Sequence, residues 1–150
     1  MLWTLAQDAA TGEIVCVMRT EEVENALETP YEPVNSVAYG GSDQVTFFDN
    51  ITRIHRDFMK SRPHRCLHIM ATHPAHQGRG AARALLSHLT QIADAEGRPL
   101  YLEATQEAVP VYAKFGWVPT GAMEVLPTGA LEVAPKEVVT MMIREPQRSP

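Results

Sequence analysis

The chain has 150 residues, of which 45% are hydrophobic and 21% charged, with a net charge of −5. That size and balance suit one globular domain with a real core, and two cysteines, Cys16 and Cys66, are too few for a disulfide scaffold. No run approaches the ~20 apolar residues of a membrane span, and Met1–Asp8 has neither a basic start nor a signal-like apolar stretch, so the expectation is a soluble, cytoplasmic protein.

Leu2–Ala6 and Ile14–Arg19 are apolar runs around Asp8-Ala9-Ala10-Thr11-Gly12 and predict a β-hairpin. Thr20–Leu27 has Val23, Ala26 and Leu27 at helical spacing and predicts a short helix. Thr29–Gly41, with two prolines and a Gly-Gly pair, predicts a loop. Ser42 offers an N-cap. From Asp43 to Lys60 the residues Phe47, Phe48, Ile51, Ile54, Phe58 and Met59 recur at helical period, and Arg62-Pro63 ends that helix. Arg65–Thr72 predicts a strand with Leu67, Ile69 and Ala71 on one apolar face. A loop, His73–Gly78, leads into a helix from Arg79 to Glu96, striped by Leu85, Leu86, Leu89, Ile92 and Ala93 and stopped by Gly97-Arg98-Pro99. Leu100–Thr105 reads as a strand and Val109–Phe115 as a short helix ended by Gly116. Strands near Val118–Leu126 and Val138–Arg144 complete the order, and residues 146–150 read as a disordered tail. The order β-β-α-β-α-β-α-β-β predicts an α/β fold with a mixed sheet in a single domain, residues 1–145.

Charge is unevenly spread. Thr52–Arg83 holds seven Lys or Arg against one acid, Asp57, and five of the six histidines. This suggests an anion-binding face on an acidic body. The overall acidity and the lack of interleaved aromatics argue against nucleic acid and for a small polyanion.

The strand–loop–helix unit at Leu67–Glu96 offers such a site. The first turn of a helix leaves backbone N–H groups unpaired at the positive end of its dipole, and a phosphate satisfies both. Gly78, Gly80, Ala81 and Ala82 allow close approach. No Gly-Lys-Ser/Thr follows, which disfavours a P-loop, and no Gly-x-Gly-x-x-Gly is present, which disfavours a Rossmann site. Small residues that let the helix pack closely on a sheet remain an alternative for the loop taken alone.

Ile69–Leu86, with Gln77, Gly80 and Ala82 in the pattern Gln/Arg-x-x-Gly-x-Gly/Ala, resembles motif A of the GNAT acyltransferase superfamily. Tyr101-Leu102-Glu103-Ala104-Thr105, followed by Val111-Tyr112-Ala113-Lys114-Phe115-Gly116-Trp117, is similar to its motif B. The match covers roughly Leu67 to Trp117, and its tone is closest to small fungal and bacterial members. The resemblance implies acetyl-CoA or another acyl-CoA as co-substrate, lying in a V-shaped cleft between Leu67–Thr72 and Leu100–Thr105. It implies pantetheine contacts at Met70, Ala71 and Thr72, pyrophosphate on Gln77, Gly78, Arg79, Gly80, Ala81 and Ala82, and direct attack by an amine on the thioester. Tyr112 matches the tyrosine that protonates the leaving thiolate and contacts the cofactor. Glu103 is the expected base, with His68 or His73, or solvent or the substrate's own deprotonation, as alternatives. His73 and His76 stand at i, i+3, but no Cys or acid lies nearby, and the family needs no metal.

The implied acceptor is a small-molecule or peptide amine, with no nucleic acid and no membrane as partner, and a homodimer is in keeping with the family. The acids Glu21, Glu22, Glu24, Glu28 and Glu32 could attract a cationic amine or simply be solvated. Measured against the family pattern, the chain is expected to open on the hairpin of the second and third strands, without the first strand and the helices after it. The expected function is therefore an N-acyltransferase, the alternative being a non-catalytic or partner-dependent CoA-binding module.

Overall fold

A computed structural model describes residues 1–28, 42–125 and 137–147, with backbone alone at residues 42–49, 125 and 137. The loop expected at Thr29–Gly41, the Ser42 cap, the Phe47 and Phe48 side chains, Glu32 and residues 148–150 lie outside this description.

Six strands form one sheet, in the order β1-β2-β3-β4-β6-β5. They are β1 (Leu2–Gln7), β2 (Ile14–Val23), β3 (His64–Thr72), β4 (Leu100–Thr105), β5 (Val118–Val125) and β6 (Glu137–Arg144). Helix α1 (Ser42–Met59) enters between β2 and β3, α2 (Ala81–Glu96) between β3 and β4, and α3 (Val109–Ala113) between β4 and β5. Every neighbouring pair is antiparallel except β3 and β4. A mixed α/β sheet is thus the observed architecture.

Successive strand residues point to opposite faces, so the two helices sort onto two cores. On one face, Leu67, Leu100, Leu102 and Met142 pack against Leu85, Leu86, Leu89 and Ala93 of α2, with Trp117 closing the cluster. On the other, Cys66, Tyr101, Val139 and Met141 pack against Ile54 and Met59 of α1. Each fully buried leucine contributes about 1.5–3 kcal/mol, so the α2 stripe is the main anchor of that helix. The expected stripe holds for Leu85, Leu86, Leu89 and Ala93. Both cysteines are free and buried.

Two expectations fail, for related reasons. Thr20–Leu27 is not a helix. β2 continues through it, with Glu21, Glu22 and Val23 paired to Cys66, Arg65 and His64, and the chain turns only afterwards, where the Ala26 amide donates to the Lys60 carbonyl at 2.8 Å. Tertiary pairing outweighs the weak helical spacing. The face predicted for β3 is also wrong beyond Leu67. The register slips opposite Arg19 and Thr20, which pair with Ile69 and Leu67, so that His68 is an extra, bulged residue. The bulge inverts the alternation. Leu67 and Met70 face the α2 core, while Ile69 is 39% exposed on the opposite side.

The C-terminal half of α2 is tied to the sheet by charge. Arg144 is 3% exposed, and its Nη1 and Nη2 donate to the two carboxylate oxygens of Asp94 at 2.7 and 2.8 Å, while its Nε donates to the Phe115 carbonyl at 2.9 Å. The Gln147 amide donates to the same carboxylate. Buried Arg65 reaches both Glu22 and Glu96. Arg144 holds the Asp94 carboxyl below the usual carboxylate range. That contribution is present at neutral pH and is lost as pH falls through the depressed pKa. Asp94→Asn strands a buried guanidinium and is expected to cost roughly 2–3 kcal/mol at pH 7, less than a fully buried pair because Asp94 is partly exposed. Urea denaturation at pH 7 and pH 3 checks this: the gap between variant and wild type should shrink at pH 3.

Candidate active site

β3 and β4 pair at only two positions, Arg65 with Leu100 and Cys66 with Tyr101. Beyond them β3 stays paired with β2 through Thr72, while β4 stays paired with β6 through Thr105. The two strands therefore part, and the β4-facing edge of β3 from Leu67 onward is a free strand edge. Met70, Ala71 and Thr72 lie along it.

At the mouth of this cleft a short 3-10 turn, Pro74–His76, leads into the loop before α2. The Gln77 side chain reaches back to the Thr72 carbonyl at 3.4 Å. Gly78 and Gly80 have φ +73° and +89°, values that L side chains rarely adopt. A Cβ at either would have no heavy atom within 4 Å, so both open onto free space. Gly80 is the N-cap, so the helix begins at Ala81, two residues later than expected, and no side chain caps it. The amides of Ala81, Ala82 and Arg83 are the orphan donors of the first turn, and the Ala84 amide is the first to find an intrahelical carbonyl, that of Gly80 at 2.9 Å. A hollow of about 310 Å³ lies here between Arg79, Gly80 and Ala81 and the end of β1. Free amides, a positive dipole end and an open cradle fit a pyrophosphate, and the free edge of β3 fits the amide groups of a pantetheine arm.

The basic segment does not form one face. Arg62 pairs with Glu145 and Arg65 with Glu22 and Glu96, while Arg56 donates to the Leu27 carbonyl. The acids of the β2 end are spent likewise: Glu21 meets His68 and Glu24 meets Arg98. Of the seven basic residues, Arg79 sits beside the hollow.

On the α1 side, at the base of the cleft, lies a cavity of about 360 Å³. Glu103 lines it from β4, His68 and Ile69 from β3, Arg19 from β2, and Ile51 and His55 from α1. The bulge is what turns His68 and Ile69 towards it. Glu103 Oε1 is buried, and neither it nor the adjacent Tyr101 hydroxyl has a hydrogen-bond partner of ordinary geometry among the described residues. Loss of solvent pushes the Glu103 carboxyl up to about 7, with the neighbouring Tyr101 hydroxyl drawing it back. Burial and Glu103 keep the Tyr101 hydroxyl protonated. A carboxyl that titrates near neutrality in a cavity is suited to proton transfer.

The histidines are fixed by their partners. His68 Nε2 donates to Glu21 at 2.9 Å, which leaves Nδ1 to accept from the Cys66 thiol at 3.7 Å. Burial lowers the His68 pKa, partly offset by Glu21. His64 Nδ1 donates to the Arg62 carbonyl at 2.7 Å, so its Nε2 accepts from His55 Nε2 at 2.6 Å. His55 stacks on the Tyr101 ring at 4.8 Å, and burial pushes its pKa down to about 3. Both rings are neutral in neutral water. His73 lies elsewhere: its Nδ1 accepts from the Ala75 amide at 3.2 Å within the turn, 5.6 Å ring to ring from His76.

Tyr112, on α3, packs edge-on against Trp117 at 5.8 Å and borders the same cluster as Met70, Ala81 and Ala82. It thus stands on the α2 face of the cleft, across the sheet from Glu103. Burial raises its pKa and holds its proton. Of the residues expected from the sequence, Glu103 lines the cavity, while Tyr112 and the loop lie on the α2 face. Arg19 and His55, which line the cavity with Glu103, were not singled out, although His55 follows Ile51 by four residues along α1.

A family profile described as the acetyltransferase (GNAT) domain matches residues 52–126. No curated protein matches the sequence. Among solved structures, the chain is similar to the histone acetyltransferase HPA2 and related acetyltransferase from Corynebacterium glutamicum, with 24% identity and a TM-score of 0.57, over 98% of this chain and 65% of that one. Naa20 of Chaetomium thermophilum, in complex with a bisubstrate analogue, is 15% identical with a TM-score of 0.60, over 96% of this chain and 65% of that one. Polyamine N-acetyltransferase of Drosophila melanogaster is 16% identical with a TM-score of 0.65, over 90% and 71%. The chain spans 65% of the length of the first two structures. With the splayed strands, the uncapped glycine-bounded helix start and a profile match over half its residues, the chain belongs to the GNAT acetyltransferase family.

Proposed function

We propose that the protein transfers an acetyl or other acyl group from acyl-CoA to an amine by direct attack. The observation that carries this reading is the parting of β3 and β4 between two complementary ends, an anion-accepting helix start and a cavity holding a carboxyl that titrates near 7. Met70–Thr72 would hold the pantetheine arm, and Gln77–Ala82 the pyrophosphate. Glu103 takes the proton from the ammonium, directly or through water, freeing the nitrogen lone pair. The nitrogen attacks the thioester carbonyl carbon, the C–N bond forms and the C–S bond breaks. Tyr112 delivers its proton to the departing thiolate, whose basicity is roughly that of the phenolate, and the second proton leaving the attacking nitrogen, passed directly or through water, restores the phenol. Relatives named for N-acetylation of polyamine and agmatine support an amine acceptor. A CoA-binding module without turnover is the second reading, and Tyr112 separates the two.

Three measurements test this. Gly78→Asp and Gly78→Asn share a shape at a φ that both tolerate better than other side chains, so they differ mainly in charge. Calorimetry should find CoA bound at least about tenfold more weakly by the aspartate variant. Tyr112→Phe should lower kcat by about 10²-fold or more with CoA affinity retained. Wild-type binding of CoA with no turnover on any amine would instead favour the module.

Glu103→Gln should lower kcat/KM by about 10²–10⁴-fold and abolish the limb of the pH profile that rises through about 7. Stability should move the other way. The fold raises this pKa, so the ionised carboxylate destabilises the native state as pH rises towards and past 7. Thermal melts should show the glutamine variant the more stable at pH 8 and the two proteins converging near pH 4.

A further inference from the structure

We propose that the acceptor is an amine that also carries a carboxylate, of the amino-acid class, and that Arg19 is the residue that selects it. This rests on the acyltransferase reading and adds the identity of the acceptor.

Among the described residues, Arg19 is the arginine that lines the cavity of Glu103. Arg62, Arg65, Arg98 and Arg144 each meet a carboxylate. Arg19 meets none among the described residues. Its guanidinium lies 6.0 Å from the centroid of the Trp3 ring, and its Nε donates to the Met1 sulfur at 2.9 Å. Glu21, two residues along the same strand, is engaged with His68. The half-buried arginine lines the same cavity as Glu103 yet forms no ion pair with it.

The two groups stand on opposite walls. Arg19 is on β2 and Glu103 on β4, with β3 between them, and β3 and β4 have parted at this level, so their backbones are more than two strand spacings, ~10 Å, apart. Ile69 on β3 and Ile51 on α1 supply apolar surface between them. Burial lowers the pKa of both histidines of the cavity, His55 and His68, and so favours their neutral forms. The cavity therefore presents one fixed cation, one proton-accepting carboxyl and an apolar middle. An amino acid matches this order: ammonium towards Glu103 at the vertex of the cleft, carboxylate on the planar guanidinium fork, side chain against the isoleucines. A diamine would set its second charge against Arg19, where like charges repel.

The test compares standard amino acids with their C-terminal amides and with a diamine, using acetyl-CoA and thiol release. The wild-type chain should favour acid over amide by at least about tenfold in kcat/KM, and Arg19→Gln should bring that ratio towards one, with Arg19→Lys between. Equal or better turnover of amides by wild type, or an unchanged ratio in Arg19→Gln, would overturn the proposal. Equilibrium dialysis with acetyl-CoA alone separates the two inferences: absent CoA binding sinks the acyltransferase reading. In that event ligand-observed NMR still decides the Arg19 site, since amino acids should bind wild type and not Arg19→Gln, and no binding to either rejects it. Circular dichroism of both variants checks that each is folded.

Discussion

Two parallel strands pair for two residues and then separate, and the proposed acyl transfer depends on that interruption. A continuous β3–β4 ladder would satisfy the backbone of Met70–Thr72 internally and close the space above it. Partition is possible because each strand keeps its other neighbour: β2 holds β3 and β6 holds β4 to their ends. The sheet is thus stable as two antiparallel halves joined at a narrow vertex. The vertex itself is well packed, with Leu100, Tyr101 and Cys66 almost fully buried.

The bulge at His68 completes the division. It lets one strand serve the α2 core up to Leu67 and again at Met70 while offering His68 and Ile69 to the cavity on the other side. Because the two helices cover opposite faces, the loop before α2 and Tyr112 belong to one face, and Glu103, His55 and Arg19 to the other. The proposed transfer would then take place in the gap through which the two faces communicate.

How much of this could be read beforehand follows from the range of each interaction. The helix start near Gln77–Ala82 was legible because a run of small residues leads into a leucine stripe, a pattern that serves close helix–sheet packing as well as a bound phosphate. Leu85, Leu86 and Leu89 were legible through helical period. The bulge was not, since nothing local in His68-Ile69-Met70 distinguishes a regular strand from a slipped one; the slip is settled by pairing with Arg19 and Thr20. Glu21 and Glu22 looked helical for the same reason. The basic stretch misled in a different way: proximity in sequence was taken for proximity in space, whereas Arg62 and Arg65 sit at the far end of β3 from Arg79. Arg19 and His55 come to one cavity from elements that are remote in sequence, and no motif joins them.

Helix α2 is held unevenly. Asp94 and Glu96 bind its last turns to Arg144 and Arg65, while its first turn carries three amides without intrahelical acceptors and no capping side chain. A ligand phosphate would supply what that end lacks, so occupancy and folding draw on the same free energy. Linkage makes this quantitative: a ligand at a hundred times its dissociation constant adds about 2.7 kcal/mol to the stability of the native state. The charged C-terminal end fixes where the helix sits on the sheet, and on the proposed reading the glycine-bounded end is where the co-substrate would become, thermodynamically, part of the fold.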